Sequence, residues 1–104
     1  MSLLTEIQAA VKDTELALTL HALTRMTARR IAVSEVRNVL LSAEAEVIED
    51  YPGDPRGPSC LVYGKTSKRI LHVHVSHPPE IVVITAYQPD SVRWETDLKR
   101  RKRK

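Results

Sequence analysis

The chain has 104 residues, 16 basic against 13 acidic, for a net charge of +3, a length that suits one domain with a single modest core. Its apolar share of 42% excludes wholesale disorder. No apolar run is long enough to span a membrane, the N-terminus lacks a basic-then-apolar export signal, and the lone Cys60 excludes an internal disulfide framework and fits a reducing interior, so a cytoplasmic protein is expected.

In chain order, Ser2 to Lys12 reads as a short helix with Leu3, Leu4, Ile7 and Val11 on one face. Glu15 to Leu20 fits either a short strand or a lead-in to the next helix, with Thr19 as its N-cap. His21 to Arg30 is helical. Leu20, Leu23 and Met26 share one arc, and His21, Arg25 and Arg29 recur every fourth residue along another. Ile31-Ala-Val-Ser34 breaks the helix, and Ser34 is the expected N-cap of a third, with Val36, Val39 and Leu40 buried.

Ala43 to Tyr51 reads as a strand decorated by Glu44, Glu46, Glu49 and Asp50, which a solvated edge explains better than a metal site. Pro52 to Ser59 is a loop rich in Pro and Gly. Cys60 to Gly64 is the next strand, its thiol expected to be buried and structural. Ile70 to Ser76 alternates, with Leu71, Val73 and Val75 on one face and His72 and His74 on the other. Four residues separate it from Ile81 to Tyr87, so a hairpin follows that places the imidazoles beside the hydroxyls of Thr85 and Tyr87. Tyr51 and Trp94 are expected to finish the core. The sum is an α+β fold: N-terminal helices packed on a four-stranded, mainly antiparallel sheet, with residues 1–97 forming one domain and 98–104 a basic tail.

That tail, Lys99-Arg-Arg-Lys-Arg-Lys104, holds six of the 16 basic residues. The ten left face 13 acids, so the body is net acidic. A terminal basic run is commonly a solvated segment and sometimes an arm that binds phosphates, here through Lys99, Arg100 and Arg101, with Arg29 assisting.

The series His21-Ala-Leu-Thr-Arg25-Met26, Val47-Ile-Glu-Asp-Tyr-Pro52, Gly57-Pro-Ser-Cys-Leu61, Leu71-His72-Val73, Ile84-Thr-Ala-Tyr-Gln-Pro89 and Trp94 resembles a small bacterial domain family of unassigned function. That family opens on a His-Ala-x-x-Arg-Met helix and closes on a Thr-x-Tyr-x-Pro strand. In layout it is similar to the RelE and BrnT ribonuclease toxins of toxin–antitoxin pairs. The resemblance implies metal-free, cofactor-free cleavage of RNA, including messenger RNA, by attack of a ribose 2′-hydroxyl on the adjacent phosphate, and a cognate antitoxin as partner. His21 and His72 would then be acid and base across a small cleft, Arg25 would hold the phosphate, and Thr85 and Tyr87 would orient it.

Other readings stand beside this one. His72 and His74 are equally explained as solvent-facing strand residues, His21 as a satisfied helix-start residue and Arg25 as an ion-pair partner. Thr85 and Tyr87 fit strand propensity alone. His72-x-His74 also suits a transition-metal pair completed by His21, His77 or Cys60. A sheet edge plus a basic arm suits a non-catalytic module for nucleic acid or a protein partner.

Overall fold

The computed structural model describes residues 2–102. Three helices, α1 (Leu3–Asp13), α2 (Leu20–Ala28) and α3 (Val33–Leu41), are joined by five strands: β1 (Ala17–Leu18), β2 (Glu46–Tyr51), β3 (Ser59–Lys65), β4 (Ile70–Ser76) and β5 (Val82–Tyr87). The architecture is α+β. The sheet order is β1-β5-β4-β3-β2. It is antiparallel throughout except where β1 runs parallel to β5. The expected four-stranded sheet is thus corrected to a five-stranded mixed one. The added strand is two residues long, too short to show any period. It is fixed by register, with Ala17 opposite Val82 and the Thr19 N–H on the Val83 carbonyl at 3.1 Å. None of the described helices is long and apolar enough to cross a membrane.

Local chemistry accounts for most helix ends. Ser2 caps α1 by accepting from the Thr5 N–H, and Thr19 caps α2 by accepting from the Ala22 N–H. The cap of α3 is Ala32, without a side-chain bond, so the expected Ser34 cap is corrected; Ser34 lies inside the first turn. The third residue of that helix, Glu35, pairs instead with Arg69 across the fold, at 2.7 Å. α2 ends in a Schellman arrangement, with the Ile31 N–H on the Met26 carbonyl and the Arg30 N–H on that of Thr27. This puts Arg30 at φ 56°, where glycine is usual.

The helices cover one face of the sheet. Ile7 and Val11 of α1, Ala22 and Met26 of α2, and Val36, Val39 and Leu40 of α3 meet Val62, Leu71, Val73, Val75, Val83 and Ala86 in one cluster. Leu20 and Leu23 lie outside it, 80% and 49% exposed, so α2 buries the arc through Ala22 and Met26 rather than the one through its leucines. α3 crosses β3 at Gly64, where a Cβ would stand 2.7 Å from Val39 Cγ1 and 2.9 Å from the Val39 carbonyl oxygen. Cys60 is buried in the same layer.

The other face of the sheet carries Tyr63, His72, His74, Thr85 and Tyr87, in the register that places His72 opposite Tyr87 and His74 opposite Thr85. It is roofed by the C-terminal segment. After the Asp90 turn, residues 93–102 fold into a small hairpin: the Glu95 N–H bonds the Arg100 carbonyl at 2.8 Å, the Lys102 N–H bonds that of Arg93 at 2.9 Å, and Trp94 bridges Arg101. Residues 98–102, expected as a tail, are the second arm of this hairpin. Arg103 and Lys104 lie outside the described residues.

Candidate functional site

His72 is the centre of the roofed face. It is 0% exposed, which corrects the reading of a solvent-facing strand residue. The Trp94 indole stands edge-on against its ring at 4.4 Å, and the Leu98 carbonyl lies 2.6 Å from Nε2. A carbonyl only accepts, so Nε2 carries a hydrogen. In the neutral ring Nδ1 is then the acceptor, and it takes the Tyr87 hydroxyl at 3.2 Å. Burial lowers the His72 pKa, and the Leu98 carbonyl and Glu49 offset this only in part.

His74 makes a parallel set of contacts. Ser59 gives its single hydroxyl hydrogen to Asp54 Oδ2 at 3.2 Å, so it accepts from His74 Nε2 at 2.8 Å. Tyr51 stands edge-on to that imidazole. Burial lowers the His74 pKa as well. Both histidines of the His-x-His pair are therefore engaged with protein groups. Cys60 sits on the opposite face, and no cluster among the described residues is built to hold a metal ion.

The hairpin is attached by charge as well as by Trp94. Lys99 Nζ meets Glu46 at 2.7 Å and stands over the Tyr63 ring. Arg101 takes both oxygens of Glu49, at 2.7 and 3.0 Å, and stacks on Trp94. Burial works to raise the Glu49 carboxyl, but the hydrogen bonds from Arg101 and Tyr51 prevail and hold it low. Glu46 and Glu49 are thus no longer merely solvated acids. Lys99 and Arg101, expected to reach for phosphate, are tied down, and Arg100 pairs with Asp97 in the hairpin turn.

Where the hairpin meets the C-terminal end of β5, a cleft of about 610 Å³ opens, lined by Arg29, Arg69, Arg93, Arg101, Tyr87 and the edge of Trp94. Arg29 gives one N–H to the Ala86 carbonyl at 2.9 Å. Arg69 is clamped by Glu35 and by the Arg30 carbonyl. The Arg93 side chain has no partner among the described residues. Tyr87, its phenol pushed up to about 12 by burial, stays protonated at neutral pH, with the His72 bond behind it. The guanidinium forks are the donors a phosphate group needs. The Tyr87 hydrogen is committed to His72, and Asp90, whose Oδ1 accepts from the Val92 and Arg93 N–H groups, is the one acid on the lining among the described residues.

The structure gathers the expected site residues unevenly. Arg29, Tyr87 and Arg101 share the cleft. His21 and Arg25 stand exposed on α2, in the helical layer, whereas His72 lies on the far face of the sheet beneath the hairpin. The anticipated pairing of His21 with His72 across one cleft is therefore corrected: the sheet lies between them. Thr85 faces His74, away from the arginines. Arg69 and Arg93 were not foreseen as site residues; Arg69 is set beside the end of α2 by the Arg30 carbonyl and Glu35, and the folding-back of the hairpin brings Arg93 to them.

Residues 18–88 match the model of a family described as a domain of unknown function (DUF4258), about two-thirds of the chain. No curated protein and no solved structure matches. The match spans β1 through β5 and the helices between, leaving α1 and the hairpin outside it. On that extent the chain belongs to the DUF4258 family, a domain of unknown function.

Proposed function

We propose that this chain binds RNA through its phosphate groups, in the cleft between β5 and the C-terminal hairpin. The observation that carries the reading is the convergence of four guanidinium groups on one opening, with the Arg93 side chain unpartnered among the described residues. Arg69 and Arg101 are already paired with Glu35 and Glu49, so affinity rests on a few contacts. The test is binding of a short single-stranded RNA to the wild type and to Arg29→Ala and Arg93→Ala across a salt series. Each variant should weaken binding and make its salt dependence shallower by about 0.7, the single-strand slope per phosphate contact. Unchanged affinity and slope in both variants would refute it.

A second reading is favoured by Tyr87, which lines the cleft and bonds the His72 imidazole through its hydroxyl. In that reading the chain is a RelE/BrnT-like toxin cleaving RNA by 2′-hydroxyl attack without a metal, and a cognate antitoxin covers the cleft. Tyr87 is the side chain that would meet the phosphate, and His72 acts only through it. Incubating RNA in EDTA separates the two: 2′,3′-cyclic phosphate ends that vanish with Tyr87→Phe support cleavage, and intact RNA retained on the protein supports binding alone.

A further inference from the structure

We infer that the cleft is a two-jawed clamp for a terminal, dianionic phosphate ester, and that filling it locks the C-terminal hairpin over His72. The inference rests on the reading above in placing a phosphate among these arginines. It adds which kind of phosphate and what its binding does.

The jaws belong to separate parts of the chain. Arg29, at the end of α2, and Arg69, at the head of β4, are fixed to the body by Ala86 and Glu35. Arg93 and Arg101 come from the two arms of the hairpin, where Trp94 bridges Arg101 and the Arg93 carbonyl bonds Lys102. No backbone hydrogen bond joins the hairpin to the sheet among the described residues. It is attached by Trp94, the Leu98–His72 bond and the pairs Lys99–Glu46 and Arg101–Glu49. Ion pairs this exposed contribute little. A ligand gripped by both jaws therefore adds appreciably to the hairpin's attachment, and it need not break the Glu49 pair, which uses Nε and Nη2 of Arg101 and leaves Nη1 free.

Charge and valence select the ligand. An internal phosphodiester offers two free oxygens and one negative charge. A phosphomonoester offers three oxygens and close to two charges at neutral pH, as phosphorylated side chains do. Arg69 and Arg101 are each already paired with a glutamate, so the unpaired cations of the opening, among the described residues, are Arg29 and Arg93, with Asp90 turned to the Val92 and Arg93 N–H groups. Two unpaired guanidiniums, with the remaining N–H groups of Arg69 and Arg101 beside them, match the monoester better. At about 610 Å³ the cleft also holds more than the phosphate alone, in the range of small-ligand sites.

The experiment uses the full chain with three probes: adenosine 5′-monophosphate, inorganic phosphate, and a dinucleoside monophosphate whose only phosphate is internal. Affinity is read by calorimetry, and hairpin closure by acrylamide quenching of Trp94, the sole tryptophan. The monoester should bind at least about tenfold tighter than the dinucleoside, since one extra charged hydrogen bond is worth that much. It should also reduce quenching. Inorganic phosphate doing the same shows that the phosphate alone closes the clamp; closure only by the nucleotide shows that the nucleoside half takes part. Arg93→Ala should lose about tenfold in monoester affinity, and Arg100→Ala, whose side chain pairs with Asp97 in the hairpin turn, should lose none. Equal or tighter binding of the dinucleoside overturns the inference and leaves RNA binding standing. Monoester binding without a change in quenching overturns the clamp. Failure of all three probes while RNA still binds through Arg29 and Arg93 also overturns it. Failure of RNA as well removes the reading beneath it.

Discussion

Lowering the pH should loosen this protein well above the range where its carboxylates titrate, because His72 is buried in its neutral form. Both ring nitrogens are in use and the Trp94 indole closes over the ring, so a proton on Nδ1 would place a charge in a dry site facing the Tyr87 hydroxyl. The folded-state pKa is depressed by burial, while the unfolded chain titrates near the ordinary value of about 6.5. Between those two values the unfolded chain holds a proton that the folded chain lacks, so stability falls as pH falls. For one such site the slope reaches about 1.4 kcal/mol per pH unit, and the loss from about pH 7.5 to about pH 5.5 is at most about 1.4 kcal/mol. That is a sizeable part of a stability of about 5–15 kcal/mol. His74 is shifted the same way and adds a share. Glu35, Glu49, Asp54 and Asp97 are all held low, so their losses begin only in more acid solution. Urea unfolding of the wild type and His72→Gln at both pH values isolates the effect. The glutamine keeps a donor for Leu98 but does not titrate, so its pH-dependent loss should be smaller than that of the wild type by up to about 1.4 kcal/mol, whatever its absolute stability. Equal losses in the two proteins would mean that His72 is not held neutral by burial.

Gly64→Ala should cost about 1–3 kcal/mol in urea unfolding, because the new methyl meets the Val39 backbone, which cannot swing aside. Trp94→Ala should cost about 3–5 kcal/mol and release the hairpin, seen as new protease sensitivity after residue 92, since Trp94 is 2% exposed and packs on His72. Arg30→Gly should stabilise by about 0.5 kcal/mol, as relief at φ 56° outweighs the added freedom of the unfolded chain. Cys60, buried and with its thiol pushed up to about 12, should react with a disulfide reagent only as fast as the chain opens, so its labelling should accelerate in urea.

The parts of this fold governed by local chemistry were legible in the sequence. The α+β class, the Thr19 cap, the buried arc of α3 and the placing of the imidazoles beside the hydroxyls of Thr85 and Tyr87 follow from period and turn length, whereas the exact pairing of His72 with Tyr87 depends on a register shift between His74 and Val75. What escaped depends on events that alternation cannot encode. Glu46 and Glu49 lie three apart, which a regular strand puts on opposite faces. A register shift between Val47 and Glu49 puts both on the outer face, opposite Tyr63 and Leu61. Only with that shift do the two acids match the two-residue spacing of Lys99 and Arg101.

That match changes what the basic C-terminus means for function. Read as composition, Lys99 and Arg101 are spare positive charge for a nucleic acid. Read as structure, they are counterions for Glu46 and Glu49. The positive charge that faces solvent in a shaped opening belongs instead to Arg29 and Arg93, residues far apart in sequence. The hairpin that brings them together also seals His72. Under the cleavage reading, His72 would act on a phosphate in this cleft only through the Tyr87 hydroxyl for as long as Trp94 and Leu98 hold their places.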